Sequence, residues 1–170
     1  MTDETEEACA NAKMLNVLKR HGVIQLTVEF NGGGDSGDIG DIECEGIVDI
    51  RVVALSDADR ELLELSEQLT KNEWDQARRA NVQSTRPWTL YDAVHDWASD
   101  LLDDVPFDWC NNEGGLGTLI VIPGDNFIFV DGHYRVESTE PAPEDYSLPE
   151  NEEQRLRHDE LRNKYQGSSL

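Results

Sequence analysis

Lysine is nearly missing from this chain: 170 residues hold 4 Lys and 10 Arg against 36 carboxylates, for a net charge of −22. That shortage of cations argues against direct binding to nucleic acid or to an anionic membrane surface, and it favours basic protein surfaces or divalent cations. A salt-adapted source would produce the same bias with no partner, so an accessory protein from such a source stands as one alternative. Cysteine is scarce too. Cys9, Cys44 and Cys110 are odd in number and far apart, with no CxxC pair, which speaks against a disulfide framework and for a reducing compartment. No apolar run approaches the roughly 18 residues of a membrane span. The opening MTDETEEACANAK is acidic and polar, unlike a signal or transit peptide. The expected location is the cytoplasm, or a host cytoplasm if a virus encodes the chain.

The usual chemical signatures are also lacking. His21, His95, His133 and His158 show no ligand spacing with one another or with the cysteines, so no zinc site is expected. No phosphate loop, GxGxxG before a helix or basic-aromatic platform occurs. No cofactor, resident metal or catalytic residue is therefore expected, and the balance is against an enzyme.

Hydropathy patterning predicts an α+β domain over residues 1–138 with the order α-βββ-αα-ββ. A first helix spans Thr5 to His21, with Ala8, Met14, Leu15 and Leu18 at helical spacing. Alternation then predicts strands at Ile24–Phe30, at Ile42–Glu45 and at Val48–Val52, with a glycine-rich turn at Asn31–Gly34. Ser56 caps a second helix continuing through Trp74 to Ala77, and Thr89 caps a third that Pro106 closes. Strands follow at Thr118–Ile122 and Phe127–Glu137, the latter with a hairpin signal at Asp131-Gly132. The expected architecture is an antiparallel sheet of about five strands with helices on one face. Residues 139–170 read as an acidic, mostly disordered tail, with a short helix over 152–165 as its one ordered candidate.

Between Pro87 and Tyr134 lie nine carboxylates and no Lys or Arg. Asp92, Asp96, Asp100 and Asp103 fall on one stripe of the third helix, with Asp104 beside them. Like charges at that spacing each cost roughly 0.2–0.5 kcal/mol. The last of them also oppose the helix dipole. A solvated face normally mixes in lysine, so the stripe is a candidate recognition face for a cation. A mimic of duplex DNA needs a second row of charge, which Asp35, Asp38, Asp41, Glu43 and Glu45 would supply if they fold alongside.

GGGDSGDIGDIECE admits other chemistry. GDSG matches the nucleophile region of trypsin-like proteases, but the chain is too short for that double barrel and lacks a suitably placed histidine. Asp35, Asp38 and Asp41 offer oxygens for a cation, at a spacing unlike an EF-hand, and a metal-dependent module or enzyme built on them is the second alternative. In DWCNNEGGLGTLIVIP, Trp109 can anchor the loop, while Gly114, Gly115 and Gly117 allow close backbone approach ahead of a buried strand.

Two segments, VEFNGGGDSGDIGDIE (28–43) and WCNNEGGLGTLIV (109–121), together with TLYDAV and HYRVES, resemble a family of uncharacterised bacterial, plasmid and phage proteins over residues 23–138. Leu116 and Glu113 occupy the places where relatives often carry an aromatic or an acid. The family has no assigned activity, so the resemblance transfers no site residue. It implies a phage or mobile-element setting, where small acidic proteins often obstruct host defence. The reading that unites these observations is a non-enzymatic inhibitor that occupies the basic, nucleic-acid-binding surface of a host or defence complex.

Overall fold

The structure, a computed structural model, describes residues 3–47, 49–106, 108–110, 113–135 and 140–166. Helix α1 (Asp3–Arg20) buries Asn11, Met14, Leu15 and Leu18 along one stripe. It closes with the Val23 amide bonded to the Leu18 carbonyl (3.0 Å) and the Gly22 amide to that of Lys19 (3.0 Å), a Schellman arrangement. Strands β1 (Gln25–Gly33) and β2 (Ser36–Glu45) form a hairpin turning at Gly34-Asp35, both at positive φ.

The expected turn at Asn31–Gly34 is therefore mostly strand, and the reason is packing. A Cβ at Gly32 would lie 2.3 Å from the Trp109 carbonyl oxygen, and one at Gly37 2.5 Å from the Trp109 ring. These glycines make room for a tryptophan rather than a bend. Trp109 is buried against the Phe30 edge (centroids 5.3 Å, 76°) and donates its indole N–H to the Leu102 carbonyl at 2.7 Å. Gly114, at φ +75°, comes so close to the hairpin that a Cβ would sit 2.0 Å from the Gly32 carbonyl oxygen. The two glycine-rich motifs are thus halves of one contact.

β2 also carries a bulge. Val28 pairs with Ile42 and Phe30 with Ile39, leaving Gly40 and Asp41 opposite Glu29. The bulge keeps Ile39 and Ile42 both buried although they are three positions apart, a spacing that puts side chains on opposite faces of a regular strand.

The strand expected at Val48–Val52 does not form: Val48 is outside the described residues, and the connection that follows is turn-like. The Asp49 carboxylate accepts the Arg51 amide (2.9 Å), and the Ile50 and Val53 carbonyls accept from Tyr91 and Leu90 at the next long helix. Helix α2 (Asp57–Leu62) has the expected Ser56 cap, completed by Asp59. It ends early, because Glu64 adopts φ +58°, the place a glycine usually takes, and the Leu65 amide returns to the Arg60 carbonyl (2.9 Å). The stretch read as more helix is a separate hairpin, β3 (Leu69–Asp75) and β4 (Ala80–Arg86), whose turn is nucleated by Asp75 accepting the Ala77 and Arg78 amides.

Helix α3 (Leu90–Asp103) is followed by β5 (Gly115–Ile122) and β6 (Phe127–Tyr134). β6 runs straight through Asp131-Gly132, paired with Thr118 and Gly117, so no hairpin forms there. Short strands β7 (Glu140–Pro141) and β8 (Glu144–Asp145) pair with β6, and α4 (Glu152–Gln166) includes the helix expected over 152–165. The antiparallel sheet order is β2-β1-β5-β6-β7, with β8 also on β6, which bears out the α+β class.

Alternation in the strands defines two faces. Leu26, Val28, Phe30, Leu119, Val121, Ile128 and Val130 pack with α1 and α3. Ile120, Phe127 and Phe129 point the other way and meet Leu161 of α4. The helices are therefore not confined to one face: apolar side chains on both sides of β5 and β6 need a second cover.

Candidate functional site

The predicted acidic stripe divides at its first member. Asp92 is 1% exposed and belongs to the fold. Thr89 and Asp92 cap α3 reciprocally, and Arg86 clamps both Asp92 oxygens at 2.6 and 2.7 Å, with Lys71 at 3.6 Å. Burial pushes the Asp92 carboxyl up, but the Arg86 and Thr89 hydrogen bonds outweigh it and leave it below the ordinary carboxylate range. It is unavailable to a ligand. The sequence conceals this because the hairpin that carries Arg86 is not among the elements its hydropathy pattern predicts.

The remaining acids form an exposed edge. Asp96 is half-exposed beside His95 (3.5 Å), and Asp100, Asp103 and Asp104 are open to solvent. Among the described residues, Asp100, Asp103 and Asp104 make no ion pair, and the last turn of α3 has no basic residue. Burial raises the Asp100 carboxyl above its ordinary value, and Asp96, Asp103 and Asp104 raise it further. Mutual repulsion at the negative end of a helix dipole is left uncompensated there.

Asp96 and Asp100 also line a cleft of about 570 Å³ between α1, α3 and the end of α2. Its apolar lining is buried Met14, Ala93 and Trp97, half-buried Leu65, and Ala10, which is exposed. The Trp97 indole N–H donates to buried Asn11 (3.0 Å), which fixes the ring. Across the cleft, the Lys13 ammonium bonds the Glu64 carboxylate at 2.8 Å, and that contact raises the Lys13 pKa. Exposed Cys9 lies at its border. This concavity needs helices distant in sequence to meet, and the only sequence trace of it is the pair of apolar stripes.

The other predicted acids lie elsewhere. Asp35 is in the hairpin turn, whereas Asp38, Asp41, Glu43 and Glu45 are exposed residues of β2, pairing opposite the outward residues Asn31, Glu29, Thr27 and Gln25. They therefore leave the sheet on the side away from α3, and the fold does not set them alongside the helix as a second row. The cation loop is likewise corrected. Asp38 and Asp41 are strand residues spaced by the bulge, and no group of three or more His, Cys, Asp or Glu among the described residues is placed to hold a metal ion. The Ser36 hydroxyl donates to the Gly33 carbonyl (3.4 Å).

No curated protein and no solved structure matches the chain. No described helix is long and apolar enough to cross a membrane. A family model does match, over residues 7–146, and it spans the glycine-rich hairpin, the acidic helix and the Trp109 contact: the chain belongs to the family of unknown function DUF6878.

Proposed function

We propose that this protein is a non-enzymatic, acidic docking protein that occupies a basic protein surface, of the kind that otherwise holds a nucleic-acid backbone. The supporting observation is the acidic edge of α3, where Asp96 stands beside His95 and where Asp100, Asp103 and Asp104 make no ion pair among the described residues. A cationic partner would relieve repulsion that the fold leaves standing. The net charge of −22 steers such a partner from a distance and turns polyanions away. An inhibitory role in a phage or mobile-element setting is compatible with this chemistry and adds the partner class, a nucleic-acid-handling complex.

The test separates a local edge from diffuse charge. Nona-arginine is titrated calorimetrically into the wild type, into D96N/D100N/D103N/D104N, and into the β2 variant D38N/D41N/E43Q/E45Q. Four exposed charge contacts at roughly 0.2–1 kcal/mol each give a loss of roughly fourfold to several hundredfold for the α3 variant, with affinity falling steeply as salt rises. The β2 variant should lose much less. Equal losses in the two variants, or none in either, would remove the α3 edge from the account.

A further inference from the structure

We infer that the cleft between α1 and α3 receives one amphipathic, basic helix of the partner, with apolar side chains on the cleft floor and cations on Asp96 and Asp100. The inference rests on the docking function proposed above and specifies what the partner inserts. Its volume of about 570 Å³ falls within the roughly 300–1,000 Å³ of pockets that enclose a ligand. Here the walls are helices and the floor is Met14, Leu65 and Trp97, so the matching occupant is a row of apolar anchors rather than a compact polar molecule.

Charge around the cleft chooses among apolar occupants. Asp96 and Asp100 stand one helical turn apart, about 6 Å along the axis, which suits two cations at i and i+4 on an incoming helix. Lys13 is the cation on the opposite wall, and Glu64 already neutralises it, so an incoming Lys or Arg meets no net opposing charge. The Trp97 ring is held by Asn11, so the floor is formed before anything binds. An acidic or neutral helix would leave the two carboxylates facing apolar surface without a counter-charge.

The test uses an 18-residue peptide of Leu and Lys with every Leu on one helical face, and a second peptide of the same composition in scrambled order. Both are titrated calorimetrically into the full-length chain. The amphipathic peptide should bind about tenfold or more tightly than the scrambled one. Ala10→Trp, which fills the cleft without changing its charge, should abolish that preference while leaving the scrambled peptide's affinity unchanged. If that variant fails to fold, Leu65→Ser, which removes part of the floor, should reduce the preference instead. D96N/D100N should weaken both peptides. Equal affinities for the two peptides, or a preference that survives in the folded cleft variant, would overturn the groove while leaving the acidic edge standing. No binding of either peptide would overturn both readings.

Discussion

Asp92 and Asp100 are two turns apart on one helix and stand in opposite electrostatic conditions. Asp92 is held by Arg86 and by its cap, and Asp59 is held in a similar way by Ser56 and His21, whose hydrogen bonds outweigh the effect of burial. Both carboxyls therefore sit below their ordinary values. Their stabilisation is complete above the unfolded-state pKa, near 3.9, and is lost as pH falls through the lowered folded values. Thermal stability should accordingly drop on acidification below about pH 4. Arg86→Ala should cost about 1.5–3 kcal/mol at neutral pH, the range for a hydrogen bond to a buried charge. It should also flatten the acid limb of the melting curve, which urea unfolding at pH 7 and pH 3.5 would measure. An unchanged midpoint at pH 7 would mean that Arg86 is not holding Asp92.

At the scale of elements, the glycine motifs make sense only as a pair. Gly114 approaches Gly32, and Gly32 approaches Trp109, more closely than any side chain permits. Gly32→Ala should therefore destabilise by roughly 1–3 kcal/mol as overpacking. Trp109→Ala should cost roughly 3–5 kcal/mol. Gly37→Ala, whose Cβ would lie 2.5 Å from the Trp109 ring, should cost less in the Trp109→Ala background than alone, whereas Gly32→Ala, whose Cβ meets the Trp109 backbone carbonyl at 2.3 Å, should keep most of its cost, and double-mutant cycles in denaturant check both. Periodicity showed α1, α3 and β1 because each has one apolar face on a regular period. The Gly-rich strand ends read as turn, since nothing local shows that a distant tryptophan requires the space. The end of α2 went unseen because Glu64, not glycine, takes the left-handed position. Asp35, Asp38 and Asp41 suggested cation ligands as three nearby carboxylates, but Asp38 and Asp41 are residues of β2, Asp41 within its bulge. The acidic edge was legible from the stripe, apart from Asp92. The cleft behind it was not, because it depends on how α1 and α3 meet.

For the whole molecule, the relevant quantity is where the excess charge is compensated and where it is left alone. β3–β4 supplies Arg86 and Lys71 to one end of α3, while the other end receives no cation among the described residues. β2 presents its acids from the opposite side of the sheet, apart from the α3 edge. The same contrast predicts opposite pH behaviour within a single helix. Asp100, raised above its ordinary value, makes a contribution that is lost as pH rises through its folded pKa. Asp100→Asn should therefore stabilise the protein at neutral pH, by an amount that shrinks with added salt and disappears in acid.

The most direct measurement is a carboxyl-carbon NMR titration of Asp100, in the free protein and with the amphipathic basic peptide bound. Asp100 should titrate above the ordinary aspartate value in the free protein, move toward it with salt, and fall below it when the peptide is bound. An Asp100 that titrates at the ordinary value in the free protein, and does not move when a basic ligand binds, would contradict the account.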